Sequence, residues 1–187
     1  MAPEGRVEEL RSLRKQPKNA RKAAVMALFY PKNNDNTHLL LIHRKTYAGV
    51  HSNQIGFPGG KAESSDIDLL DTALRETEEE VGVVRQDVKV IKTLSKIYIP
   101  PSNFEVQPFI GLLANPTDFL KQEAEVEALV EVLLSDLMHE TSISQEKLDT
   151  SYGADIVVPA FKLNDYIVWG ATAMMLYEIK ELFKQIL

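Results

Sequence analysis

Three glutamates carry the first chemical signal in this sequence: Glu76, Glu79 and Glu80 stand at i, i+3 and i+4. On a helix that turns about 100° per residue, this spacing puts the three carboxylates side by side on one face. Like charges so placed repel, by roughly 0.2–0.5 kcal/mol per pair on an isolated helix and by more where the site is partly buried. A divalent cation removes that repulsion. Hard oxygen donors, with no cysteine and only four histidines in the chain, suit Mg2+ or Mn2+, which keep coordination positions open for water and phosphate oxygens. Arg75 stands inside the cluster, where it can orient or neutralise carboxylates. The competing reading is a solvated acidic face, because glutamate is a good helix former and runs such as Glu78-Glu79-Glu80 are common on surfaces. Pro58-Gly59-Gly60, just upstream, favours the first reading, since backbone there can bend sharply and approach a ligand closely.

The elements that must position these residues follow from periodicity. A helix is predicted over 66–81, with Leu70, Ala73, Leu74, Thr77 and Val81 on its inner face and Gly82 at a left-handed cap. Strands are predicted at 23–30 and 38–43, joined as a hairpin, and at 54–57, 88–99, 104–113, 126–134, 156–161 and 166–169. The break at Pro100-Pro101-Ser102-Asn103 makes a tight connection. A last amphipathic helix, 171–186, carries Met175, Leu176, Ile179, Leu182, Phe183 and Ile186 at helical spacing, and a short one over 3–15 carries Val7, Leu10 and Leu13. Strands interrupted by one helix and closed by another give an α/β fold, a mixed sheet in an α/β/α sandwich. With 187 residues, 44% of them hydrophobic, the expectation is one domain over 1–187, residues 1–20 forming a helical extension.

Composition excludes several classes. The lack of cysteine removes disulfide frameworks, thiolate zinc sites and cysteine nucleophiles. The opening MAPEGRVEELRSLRK has no apolar signal core, and the longest apolar run, 23–30, is too short to span a bilayer, so a cytoplasmic protein without membrane contact is expected. A net charge of −6 argues against bulk nucleic-acid binding. An acidic chain that handles phosphates must supply positive charge locally, from arginine and lysine or from metal held by its carboxylates. A homodimer is allowed.

The segment GGKAESSDIDLLDTALRETEEEVGV resembles the Nudix box, and Arg75-Glu76-Thr77-Glu78-Glu79-Glu80-Val81-Gly82-Val83 fits its second half, with Thr77 the softest match. Asp66 replaces the general upstream glutamate, with one extra residue before Arg75; both features are associated with the coenzyme A diphosphatase branch of the Nudix hydrolases. Leu40-Leu41-Ile42-His43-Arg44 and Val50-His51-Ser52-Asn53-Gln54-Ile55-Gly56-Phe57-Pro58-Gly59-Gly60 are similar to that branch's second signature, with Gly49 at an arginine position and Asn53 at a glycine position. Ile167-Val168-Trp169-Gly170-Ala171-Thr172-Ala173 also resembles the branch.

This resemblance implies that Glu76, Glu79 and Glu80, joined by the Gly59 carbonyl, hold Mg2+ or Mn2+, and that Arg75 braces them. It implies attack by an acidified water on a diphosphate, with a carboxylate taking the proton. Glu123 and Glu125 are the loop candidates for that base, Glu125 being the one carried forward. Asp66 is expected to lie behind the ligands or to cap the helix. Arg44, Lys45 and His51 are the candidates for substrate contact. The implied substrate is a small nucleotide, coenzyme A or an acyl-CoA; ADP-ribose or a dinucleotide is the alternative, and a non-catalytic nucleotide-binding module the third reading.

Overall fold

A computed structural model describes residues 19–32, 36–46, 53–116, 118–150 and 153–186. The helix expected over 3–15, together with Gly49 and His51, lies outside the described residues. Eight strands form a mixed sheet: β1 (Arg21–Lys32), β2 (Asn36–Arg44), β3 (Ile55–Gly56), β4 (Gly59–Lys61), β5 (Val88–Thr93), β6 (Ile97–Ile99), β7 (Phe104–Leu113) and β8 (Val126–Leu133). β1 is parallel to β7 and antiparallel to β2, while β2 also pairs with β8.

The apolar runs of β1 and β2 are buried on both faces, as in a sheet covered on both sides. Along them, successive residues alternate between two cores. Ala24, Met26, Leu28, Leu40 and Ile42 join Ala73 and Val81 of helix α1 (Leu69–Val81). Ala27, Phe29, Leu39 and Leu41 meet Leu137 of α2 (Leu134–Met138) and Leu176 and Ile179 of α3 (Gly170–Phe183). A three-stranded antiparallel sheet, β9 (Ile143–Thr150), β10 (Gly153–Leu163) and β11 (Tyr166–Trp169), shares that second layer through Phe161, Leu163 and Val168. The α/β class and mixed sheet expected from sequence are thus present.

What positions the site is a fork in the sheet. β1 and β2 pair from Lys32↔Asn36 to Leu28↔Leu40 and then separate. β4 takes over the β1 edge at Ala23–Val25, β3 takes over the β2 edge at Ile42 and His43, and the turn between β3 and β4 fills the gap. Met26 N–H donates to Pro58 O at 2.9 Å within it.

Several expectations are corrected. The central helix begins at Leu69 because Asp68, not Asp66, is its N-cap, accepting from Asp71 N–H at 2.9 Å. The strand expected over 88–99 divides into β5 and β6, because β7 contains Pro108 and proline brings no N–H to the ladder. Gln107 Nε2 donates instead to Leu94 O at 2.8 Å in the interruption. β4, β9 and α2 were not anticipated, and α3 ends at Phe183, leaving Ile186 75% exposed. Among the described residues no helix is long and apolar enough to cross a membrane.

Candidate active site

Helix α1 meets the fork with its acidic residues. Gly82 ends it with φ 73°, its N–H donating to Glu78 O, and Thr77 lies on the buried face with its hydroxyl donating to Ala73 O at 2.6 Å. That bond lets a polar residue occupy an inward position. Glu80 is the deepest of the three glutamates, its side chain 2% exposed. Its two oxygens accept from Gly59 N–H at 2.8 Å and from Arg44 Nη1 at 2.9 Å. Arg44 Nη2 donates to Gly59 O at 2.6 Å, closing a ring of three contacts.

The two glycines serve different ends. Gly59 has φ 148°, and a Cβ there would stand 2.3 Å from Ala24 O, so the backbone could neither bend nor pack on β1 with any other residue. At Gly60 a Cβ would fall 2.5 Å from the Glu76 carboxyl group. Its missing side chain is the space that carboxylate fills.

Arg75 bonds to several members of the cluster at once. Its fork is bidentate to Asp66, at 2.8 and 3.1 Å, while Nη1 donates to Glu76 and Glu79 at 3.0 Å each and Nη2 to Lys61 O. Asp66 also accepts from Thr72 Oγ1 and Glu63 N–H, which places it behind the cluster. The Arg75 hydrogen bonds hold Asp66 well below the usual carboxylate range despite its burial. Conversely, Asp66 raises the Arg75 pKa further. Thr72 gave no signal in the sequence, since its role depends on the loop folding back six residues.

Burial pushes Glu80 up to about 7; Arg44 and the Gly59 N–H oppose the shift, and Glu76 and Glu125 add to it by repulsion. Burial also raises Glu76, against Arg75 and with Glu79 and Glu125. Glu125, itself exposed, therefore stands within electrostatic reach of both. Its loop is fastened to the site by main-chain bonds: Gln122 N–H to Glu80 O, and Lys45 N–H to Glu125 O at 2.9 Å. Glu123 instead turns to Lys121 at 3.2 Å. Arg44 faces the carboxylates, and Lys45 reaches this region through its backbone.

Among the described residues no three acids or histidines converge closely enough to cage a metal ion as they stand. Glu79 points outward, 52% exposed, toward Arg75. The donor set nevertheless fits a hard divalent cation: Glu76, Glu80, Glu79 and the Gly59 carbonyl are all oxygen donors around one fork, and desolvation, with repulsion from neighbouring glutamates added, raises Glu76 and Glu80.

Residues 20–149 match the NUDIX domain family model. An uncharacterized Nudix hydrolase, NudL, of Pectobacterium atrosepticum is 32% identical over 145 residues, covering 75% of this chain and 72% of its own. Nudix hydrolase 22, chloroplastic, of Arabidopsis thaliana is 31% identical, covering 90% of this chain and 56% of its own. Among solved structures, the fold is similar to that of a C. elegans Ap4A hydrolase, with a TM-score of 0.58 at 17% identity over 88% of this chain and 98% of that one. It is also similar to the NUDIX domain of Shewanella oneidensis NrtR complexed with ADP ribose, with a TM-score of 0.50 at 20% identity over 71% and 85%. The chain belongs to the Nudix hydrolases, enzymes acting on nucleoside diphosphate derivatives.

Proposed function

We propose that this chain hydrolyses the diphosphate bond of coenzyme A or an acyl-CoA, yielding 3′,5′-ADP and (acyl-)4′-phosphopantetheine. The observation that carries the substrate reading is Asn53. It has φ 56°, a conformation that asparagine tolerates and glycine takes freely. The coenzyme A signature has glycine at this place, so the exchange preserves the backbone leading into the fork. Asn53 Oδ1 also accepts from His43 Nε2 at 2.8 Å, tying the loop to β2. Asp66, the acid associated with the same branch, is likewise built in, since it anchors Arg75.

In this reading Glu76, Glu79, Glu80 and the Gly59 carbonyl hold Mg2+ or Mn2+. A divalent cation there supplies the charge that acidifies water and offsets negative charge developing on the diphosphate. Glu125 takes the water's proton, being exposed and within electrostatic reach of Glu76 and Glu80. Arg75 positions the ligands without meeting substrate, its donors already engaged on Asp66, Glu76, Glu79 and Lys61 O. Arg44 and Lys45 contact the substrate phosphates, and His51 hydrogen-bonds the substrate. The second reading, ADP-ribose or a dinucleotide, draws on Gly49, which removes one cation from the signature's phosphate contacts.

The test is parallel incubation with coenzyme A, ADP-ribose and a dinucleotide, with Mg2+, with Mn2+ and with chelator, products being identified by mass. Metal-dependent 4′-phosphopantetheine from coenzyme A is expected. Cleavage of only the other two substrates rejects coenzyme A and keeps the chemistry.

A further inference from the structure

Arg44 engages the same oxygens that the proposed metal site requires. One edge of its guanidinium spans Glu80 Oε1 at 2.9 Å and Gly59 O at 2.6 Å. A guanidinium and a divalent cation sharing two oxygens stand only a few ångströms apart, and at that separation like charges repel strongly in a poorly hydrated pocket. Glu80 is 2% exposed and Gly59 buried, whereas the Arg44 side chain is 21% exposed, so of the three partners Arg44 is the one with a way out. It is the last residue of β2, beside a register shift between β2 and β8 at His43/Arg44; its main chain is fixed by pairing with Val126 and by its N–H donating to Gln54 O at 3.0 Å, so the side chain alone has to move. Gly56 leaves its flank uncrowded: a Cβ there would make only ordinary contacts, with Thr172 Oγ1 at 3.8 Å and Arg44 Nε at 3.9 Å.

We infer that Arg44 is a displaceable cation of the site: it holds Glu80 and the Gly59 carbonyl in place, yields them when a divalent ion is bound, and then clamps the substrate diphosphate. The inference rests on the metal reading proposed above. A planar fork that spans two oxygens here fits two oxygens of a diphosphate equally well. Arg44 thereby couples the two binding events. Its contact with Glu80 and Gly59 opposes metal binding alone, and its release to phosphate favours metal and substrate together. By linkage, each ligand then tightens the other by the same factor.

The experiment is a Mn2+ titration followed by the electron paramagnetic resonance of free Mn2+, with and without α,β-methylene-ADP as a non-hydrolysable diphosphate. For Arg44→Ala, Mn2+ alone is expected to bind about tenfold tighter than to the wild type, and the tightening caused by the analogue to shrink about tenfold. Arg44→Lys keeps charge and stem but cannot span both oxygens, and covers the case in which the alanine variant does not fold. It should shift both quantities in the same directions by less. Unchanged or weaker Mn2+ binding in both variants overturns the inference and leaves Arg44 a plain structural contact. Glu80→Gln separates this from failure of the underlying reading: wild-type Mn2+ affinity in that variant sinks the metal site itself, whatever Arg44 does.

Discussion

Asp66 and Glu80 are two carboxylates with nearly the same exposure, 3% and 2% of their side chains, and opposite electrostatic fates. Asp66 is held far below the ordinary range and Glu80 is pushed up to about 7. The difference lies in what covers them. Asp66 is roofed by a bidentate guanidinium and accepts from Thr72 Oγ1 and Glu63 N–H as well. Glu80 sits deep, where desolvation outweighs two donors and where Glu76 and Glu125 repel it. A charge with its donors completed anchors structure, whereas one left short of compensation is suited to bind a cation.

The sharpest way to break this comparison is to remove each charge in turn. Glu80→Gln is expected to lower turnover by orders of magnitude while changing stability by no more than about 1 kcal/mol, since the loss of one acceptor is set against relief of a poorly solvated charge. Asp66→Asn should do the reverse, costing about 2–3 kcal/mol by leaving Arg75 half-paired, with turnover reduced only about tenfold. Steady-state kinetics and thermal melts on both variants decide it, and a large stability loss at Glu80 with unchanged turnover inverts the assignment. A smaller contrast follows at the glycines. Gly59→Ala places its Cβ against Ala24 O at an unfavourable φ and should cost about 3 kcal/mol or more. Gly60→Ala displaces only the mobile end of Glu76, so it should fold normally and lose activity, which comparison of melts with rates would show.

Much of this was legible because it is local. The i, i+3, i+4 spacing, the Gly82 cap and the double-sided apolar runs of β1 and β2 depend on near neighbours along the chain. What escaped depends on distant partners. Arg44 meets Glu80 across 36 positions of sequence, a pairing created by the fork between β1 and β2. Glu125 is drawn to the cluster by main-chain bonds that no side-chain pattern announces, while Glu123 turns to Lys121. β9 was missed because ISQEKLDT offers little apolar alternation, its pairing with β10 supplying what the pattern lacks. Pro108 was visible inside a predicted strand, and its effect on the neighbouring strand followed from the missing N–H alone.

The smallest effect should be the most discriminating, because Asp66 and Glu80 leave opposite marks on stability against pH. Asp66 has a depressed folded value, so its contribution is present above the unfolded value of about 3.9 and is lost as pH falls below it. Glu80 has a raised folded value, so the fold binds its proton more tightly than the unfolded chain does. That contribution is full below the unfolded value near 4.5 and is lost as pH rises to about 7. With chelator present, Asp66→Asn should flatten the acid side of the stability curve below pH 4 and leave the neutral side alone. Glu80→Gln should remove the decline between about pH 4.5 and 7 and be relatively steadier at pH 8, by an amount on the order of 1 kcal/mol. Urea melts across that range read both slopes. If the two variants flatten the same limb, the carboxylates share one environment and the division between anchor and cation site does not hold.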